Sequence, residues 1–355
     1  MHLLEVSPFL WRISDDFGVQ WNGFSYMLTI LISFLFVSWM VYRQRGELAP
    51  KMVGDLMMVC ALGALVGGRL GYCLFFAPDL FLKFKAELPF WGVLALNEGG
   101  MSGFGSIVGV FLACTLFAIH TGVSRLYLYD LMALTAPIGL FLVRIANFLS
   151  GELIGTEVGD SAQVPLSVKF PTEIFTWPKS SFQKLFELGP LVEKLGVEPE
   201  KWKALLAQFP ADPEAQASVN SYLVKIVEGV QEKAEDFGRL LEPLLAPRHP
   251  VQLYGALGEG AFLFFFLFFL WRKPRRPGVV TSAFLILYAG FRIYLDNFRL
   301  QAPELASGFL GLSRDQWLGA ITLLVGLTCW FIWGRRETLL TPGWGRGHSV
   351  KLHRR

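Results

Sequence analysis

Two stretches place chemistry where the surrounding sequence is apolar. VRIANFLSGE (143–152) carries Arg144, Asn147 and Glu152 at the tail of a long greasy run, and YAGFRIYLDNF (288–298) carries Tyr288, Arg292 and Asp296 in another. Arg144 and Asn147 are three apart and share a helix face, while Tyr288, Arg292 and Asp296 follow at intervals of four and form one stripe. An ionisable group inside a membrane helix costs several kcal/mol unless it is paired, so each is a candidate for function. Arginine binds phosphate bidentately and keeps its charge when desolvated. Two arginines with polar company therefore describe a cationic pocket, and a phosphate within a membrane belongs most simply to a phospholipid head group. Plainer accounts stand beside this one: Arg144 snorkelling to the interface, and Arg292 and Asp296 neutralising each other. Arg69, Asp130 and Glu259 complete the set of charges within apolar runs.

Glycines surround these groups, in GALVGGRLGY (63–72), NEGGMSGFGSIVGV (97–110) and FLSGELIG (148–155). Small residues let membrane helices approach closely, which accounts for most of them. The run EGGMSGFG, with Gly99 and Gly100, could also present backbone N–H groups to an anion.

The elements that must hold these residues are membrane helices. The chain has 355 residues, of which 53% are hydrophobic and only 17% charged, with 32 Phe, and its mean hydropathy is +0.45. So few charges exclude an ordinary soluble domain. Seven stretches approach the roughly 20 apolar residues needed to span a bilayer: about 24–42, 55–77, 101–120, 126–148, 253–271, 279–298 and 316–334. The expected fold is an all-α integral membrane protein, a bundle of seven transmembrane helices. The N-terminal segment does not read as a signal peptide, because Arg12, Asp15 and Asp16 stand where a cleavage site should be. Lys and Arg gather after spans one, five and seven, so the N-terminus is expected outside and the C-terminus in the cytoplasm. The net charge of +3 then reflects topology and gives no sign of nucleic acid binding.

Residues 157–247 are not membrane-like and read as a folded, mainly helical cap on the extracytoplasmic side. Asp212 can cap a helix with Pro213 at its first position, and Val219, Leu223, Ile226, Val230, Phe237, Leu241 and Leu244 then form one apolar stripe. EPEKWKALLAQF (198–209) suggests a shorter helix and VPLSVKFP (164–171) a short strand. The chain thus divides into 1–156, the cap 157–247, 248–334, and a basic cytoplasmic tail 335–355. Cys60, Cys73, Cys114 and Cys329 fall within spans at spacings that suggest apolar fillers, with neither a disulfide framework nor a metal site.

Six blocks in order then resemble the prolipoprotein diacylglyceryl transferase family: WNGFSY (21–26), GGRLGYCLFF (67–76), GGMSGFGSIVGV (99–110), RIANFLSGELIG (144–155), RHPVQLY (248–254) and YAGFRIYLDNFR (288–299). The fourth is similar to the family signature of Arg, Asn-Phe, Gly-Glu and Gly and is the most specific. The resemblance implies a multi-pass enzyme of the bacterial inner membrane. Its implied reaction moves a diacylglyceryl group from phosphatidylglycerol to the lipobox cysteine of a prolipoprotein signal peptide. Glycerol phosphate leaves and a thioether forms, with no cofactor and no metal. By resemblance Arg144 holds the lipid phosphate and Arg292 stabilises the leaving group, with Asp296 orienting it. Asn147, Glu152 and Gly155 shape the pocket, and Tyr26 and Tyr288 line it.

One departure concerns the proton. The family's block commonly reads Met-Ser, an aromatic residue, then His-Gly-Gly, and that histidine is a proposed base. Here the letters are MSGFGS, which puts Phe104 in its place. Candidate substitutes are His249, which reads more readily as a turn residue before Pro250, Glu98 and Glu152. A cationic pocket that lowers the thiol pKa without a dedicated base is a further option. Two other functions compete with the transferase: a non-catalytic relative that binds lipid or lipoprotein precursors, motivated by Phe104, and a transporter, which would need a polar path through the bundle.

Overall fold

The computed structural model describes residues 2–12, 18–44, 46–84, 89–95, 100–159, 164, 166–300, 311–336 and 338–345. Its long helices are α1 (Trp21–Gln44), α2 (Val53–Phe75), α3 (Gly103–Thr121) and α4 (Arg125–Leu149). The cap helices α5 (Pro199–Gln208), α6 (Pro213–Gln231) and α7 (Glu235–Leu241) come next. They are followed by α8 (Val251–Leu270), α9 (Val279–Asp296) and α10 (Arg314–Arg335). α1–α4 and α8–α10 are the seven helices long and apolar enough to cross a bilayer among the described residues, and each agrees with its expected span within three residues at both ends. The chain is a multi-pass integral membrane protein. Its outward faces fit that solvent: Leu112, Leu116 and Ile119 on α3 are 61%, 65% and 73% exposed, a surface that only lipid tails would cover favourably.

The chain forms two compact units. The larger share of the apolar bundle lies in Met27–Leu140, Glu259–Phe291 and Trp317–Arg355. There α2 and α3 meet through glycines. Gly63, Gly67 and Gly71 recur every four residues on α2 and face Gly105 and Gly109 on α3, where an added methyl at any of the five would run into the partner helix. These glycines serve close packing, in the manner of small residues at membrane helix interfaces. Ser102 caps α3 by accepting from the Gly105 N–H at 3.3 Å, and Gly122 ends it in the left-handed region at φ 75°.

Two of the intramembrane charges have structural roles in this unit. Asp130 is fully buried and accepts from the backbone N–H of Gly278 (2.7 Å) and Thr281 (2.8 Å) and from the Thr281 hydroxyl (2.6 Å). It thus serves as the N-terminal cap of α9, where a negative charge meets the positive end of the helix dipole. Arg69 donates to the carbonyl oxygens of Gly92, Val93, Ala95 and Gly100 at 2.8–3.2 Å, which pins the connection between α2 and α3. Cys60 and Cys114 are buried fillers of the same core, their sulfurs 3.5 Å apart.

The second unit comprises Met1–Tyr26, Phe141–Gly258 and Arg292–Gln316. Its hydrophobic centre lies in the cap, where Trp177, Trp202, Leu206, Val219, Leu223, Ile226, Val230 and Leu241 are buried together. Asp212 caps α6 as expected, accepting from the Glu214 N–H at 2.9 Å. The apolar stripe does pack on one core, but not from one helix. The chain turns at Lys233, φ 58°, so Phe237 and Leu241 come from α7 and Leu244 from the 3-10 turn that follows. The polar run QEKAED, with no apolar residue but one alanine to bury, is the physical reason for the break. Among the described residues of the expected strand, Val168–Lys169 forms a strand, which pairs in parallel with His2–Leu3.

Candidate functional site

The site is built where α4 ends. Beyond Leu149 the chain turns through Gly151 (φ 66°) and Leu153 (φ 55°), with the Glu152 N–H donating to the Asn147 carbonyl at 2.8 Å. Residues 154–158 then run extended between two other segments. On one side Thr156 N donates to Phe298 O (2.8 Å) and Leu300 N to Ile154 O (3.1 Å). On the other, His249 N donates to Thr156 O (3.1 Å) and Val158 N to Pro247 O (2.8 Å). Gly155 sits at the centre of this arrangement. A methyl there would overlap the His249 carbonyl oxygen and lie 2.7 Å from Val251 Cγ2, so only glycine permits the approach.

Arg248 locks the junction. Its Nε donates to Glu173 Oε2 at 2.8 Å, its Nη1 to the Gly155 carbonyl at 3.0 Å and its Nη2 to Glu157 Oε1 at 3.3 Å. Glu173 is fully buried and also accepts from Trp177 Nε1 (3.2 Å) and Ala246 N (3.3 Å). With all three guanidinium nitrogens and both carboxylate oxygens hydrogen-bonded, a buried ion pair becomes tolerable.

These segments form an open cleft lined by Arg144, Leu153, Val251, Gln252, Gly255, Arg292, Leu295, Asp296 and Arg299. The absence of a side chain at Gly255 leaves room for the Arg144 stem, whose Nε would be 3.0 Å from a methyl there. Arg292 Nη2 and Arg299 Nη1 both donate to Asp315 Oδ2, at 2.8 and 3.0 Å. Asp315 stands in the first turn of α10, which opens with a capping box: Gln316 N donates to Ser313 Oγ, and Ser313 N to Gln316 Oε1, each at 3.0 Å. The Ser313 hydroxyl donates in turn to Asp296 Oδ2 at 2.5 Å. Among the described residues, three guanidiniums, of Arg144, Arg292 and Arg299, and two carboxylates, of Asp296 and Asp315, meet at this cleft. Arg299 responds to its burial and to these neighbours. Burial first, then the charges of Arg292 and Arg144, push its pKa down to about 10, against the opposing pull of Asp315 and Asp296. Chemically, converging guanidiniums fit an anion with several acceptor oxygens.

The structure thus brings together Arg144, Arg292 and Asp296. Glu152 belongs to the same turn: its Oε1 accepts from Asn22 Nδ2 at 2.8 Å, and Asn22 lies one turn before Tyr26, itself 53% exposed. The Glu152 side chain reaches open space, yet the protein around it raises its carboxyl above the ordinary range, the Asn22 hydrogen bond opposing. Asn147 is buried. His249 does not line the cleft; its ring packs on Phe298 at 5.3 Å and its Nδ1 lies 3.3 Å from the Tyr254 hydroxyl. Tyr288 and Gly100 belong to the other unit. There Tyr288 is buried, stacked on Phe284 and edge-on to Phe104 at 6.1 Å, and Gly100, φ 85°, leaves room for the Tyr72 ring. Phe104 is thus a core residue. Gly99 and Glu98 lie outside the described residues.

Arg299, Asp315 and Gln252 were not singled out as site residues from the sequence. Arg299 follows the end of α9, where its backbone pairs with Gly155, and Asp315 stands in the capping box spelled by SRDQW. That spacing marks a helix start and not a site. Gln252 offered no signal beyond its place in RHPVQLY.

The family described as prolipoprotein diacylglyceryl transferase matches residues 8–332. A protein of Bdellovibrio bacteriovorus is 47% identical over 351 residues, 99% of either chain. One of Rhodospirillum rubrum is 30% identical over 347 residues, 96% of this chain and 94% of its own. A third, of Ralstonia pickettii, is 31% identical over 342 residues, 95% and 94%. All three are named phosphatidylglycerol–prolipoprotein diacylglyceryl transferase, which leaves the binding-only reading of Phe104 without support.

Proposed function

The chain belongs to the prolipoprotein diacylglyceryl transferase family and is an enzyme, and we propose that it transfers the diacylglyceryl group of phosphatidylglycerol to the lipobox cysteine of prolipoproteins. The cysteine sulfur forms a bond to the glyceryl carbon, and the bond from that carbon to the phosphate oxygen breaks. The oxygen keeps the electron pair, so glycerol phosphate leaves and the thiol proton passes to a base. The observation that carries the proposal is the cleft on which Arg144, Arg292 and Arg299 converge. A phosphodiester brings one negative charge, and the departing monoester gains a second as the bond breaks. Fixed guanidiniums in a dry site stabilise that growing charge more in the transition state than in the ground state.

Arg144 holds the lipid phosphate, and Arg292, with Arg299 beside it, receives the leaving group. Asp315 holds both of the latter guanidiniums, and Ser313 and Asp296 carry that order onward. Asn147 and Gly155 set the turn, and Tyr26 lines the approach. Glu152 accepts the proton. Phe104 cannot and His249 is committed to a packed turn, whereas the Glu152 carboxyl is shifted toward the range in which a base works. The thiolate is the nucleophile, and an ordinary thiol with pKa about 8.5 needs help to form it. The cell inner membrane is the site of action, with the N-terminus outside and the C-terminus cytoplasmic. Residues 157–247 form the extracytoplasmic cap, which receives the prolipoprotein signal peptide.

The test uses purified protein, phosphatidylglycerol vesicles and a lipobox peptide. The expected result is one glycerol phosphate released per thioether-linked peptide, and none with the cysteine replaced by serine. Peptide modification without glycerol phosphate release would refute it.

A further inference from the structure

We infer that Gln252 selects the lipid head group, by accepting a hydrogen bond from a head-group hydroxyl; the inference rests on the cleft being a phospholipid phosphate site. Gln252 is 1% exposed and lines the cleft. Its Nε2 lies 2.6 Å from the Glu152 carbonyl oxygen. A carbonyl only accepts, so the amide nitrogen must face Glu152, and the position of the amide oxygen is thereby fixed. That Oε1 is buried and meets no hydrogen-bond donor among the described residues. Buried amide oxygens are nearly always paired, and a donor supplied by the substrate would complete this one.

The chemistry of that donor follows from its neighbours. A phosphodiester at neutral pH has no hydrogen to give; its oxygens accept, and the guanidiniums of Arg144 and Arg292 are there to serve them. A choline head group has no N–H or O–H. An ethanolamine head group donates but carries a full positive charge into a cleft lined by three guanidiniums. A glycerol head group donates through uncharged hydroxyls. An acceptor set among cations therefore favours the glycerol over the ammonium head group. Its amide nitrogen, on the Glu152 carbonyl, ties the head group's position to the turn that carries the proton acceptor.

The experiment compares phosphatidylglycerol with phosphatidylpropanol, which has the same phosphodiester charge and no head-group hydroxyl, each in phosphatidylcholine vesicles with the lipobox peptide. Wild-type protein is expected to prefer phosphatidylglycerol in kcat/KM on the order of 10- to 100-fold, the range expected when a buried acceptor loses its donor. Gln252→Met, which keeps the shape and removes the acceptor, should bring that ratio to within about threefold of one. A parallel loss on both lipids would mark Gln252 as structural and overturn the inference. So would a wild-type enzyme that does not distinguish the two lipids, a result that needs no variant to fold. Transfer from neither lipid would instead overturn the phospholipid reading of the cleft, and this inference with it.

Discussion

Gly155→Ala is the substitution whose effect the geometry fixes most closely. The added methyl would overlap the His249 carbonyl oxygen and stand 2.7 Å from Val251 Cγ2 and 3.0 Å from His249 Cβ. The valine contact alone is about 0.8 Å short of the ~3.5 Å at which carbons touch, and a backbone carbonyl cannot swing aside. Relief requires the 154–158 segment to part from 247–251. The first of these is bonded to 298–300 and the second ends on Val251, next to Gln252, so both walls of the cleft move. Overpacking of this kind costs about 1–3 kcal/mol of stability, and a displacement near 1 Å at a positioned site costs about 100-fold in rate. The assay is kcat/KM for thioether formation, with thermal unfolding in detergent alongside. A loss near 100-fold in a protein that still unfolds cooperatively is expected. Gly159→Ala is the control, because a methyl there meets nothing within 4 Å. Gly155→Ala activity within threefold of wild type would show that this junction does not set the cleft.

Breaking the buried pair with Arg248→Ala strands Glu173, 0% exposed, and should cost about 3–5 kcal/mol, read as a large drop in thermal stability; a normal melting temperature would contradict the lock. Asp315→Asn removes the carboxylate shared by Arg292 and Arg299, so turnover should fall about tenfold while glycerol phosphate inhibits at lower concentration; no change in either measure would remove Asp315 from the account. For pH, a base works in its deprotonated form, so activity should rise with pH through a Glu152 pKa lying above the usual carboxylate range. Glu152→Gln should abolish that limb of the profile, and a limb that survives would assign the proton elsewhere.

The seven spans were legible because their apolar length is dictated by the bilayer, and no tertiary contact was needed to find them. The cap's apolar stripe was legible as a buried face, but its helix was not, because periodicity of three and four continues through a turn when both halves pack on one core. Of the site, Arg144, Arg292 and Asp296 announced themselves as charges in apolar runs. The same rule also raised Arg69 and Asp130, which proved to pin a loop and to cap a helix; burial cost alone does not separate a structural charge from a functional one. Asp315 and Arg299 lie just past the apolar runs, where charges are common, so only their convergence in space distinguishes them. Gln252 is neutral and sits in a helix start, and its significance rests entirely on which of its two amide atoms has a partner.

The central claim is that the arginine cleft holds a phospholipid phosphate while its ester bond breaks. Its most direct measurement is glycerol phosphate release from phosphatidylglycerol in the presence of a lipobox peptide, by wild-type protein and by Arg144→Ala and Arg292→Ala variants verified as folded. Each variant should lose at least about 100-fold in kcat/KM, the scale of removing a fixed charge from a developing anion. Release at a rate close to wild type in either variant would contradict the claim.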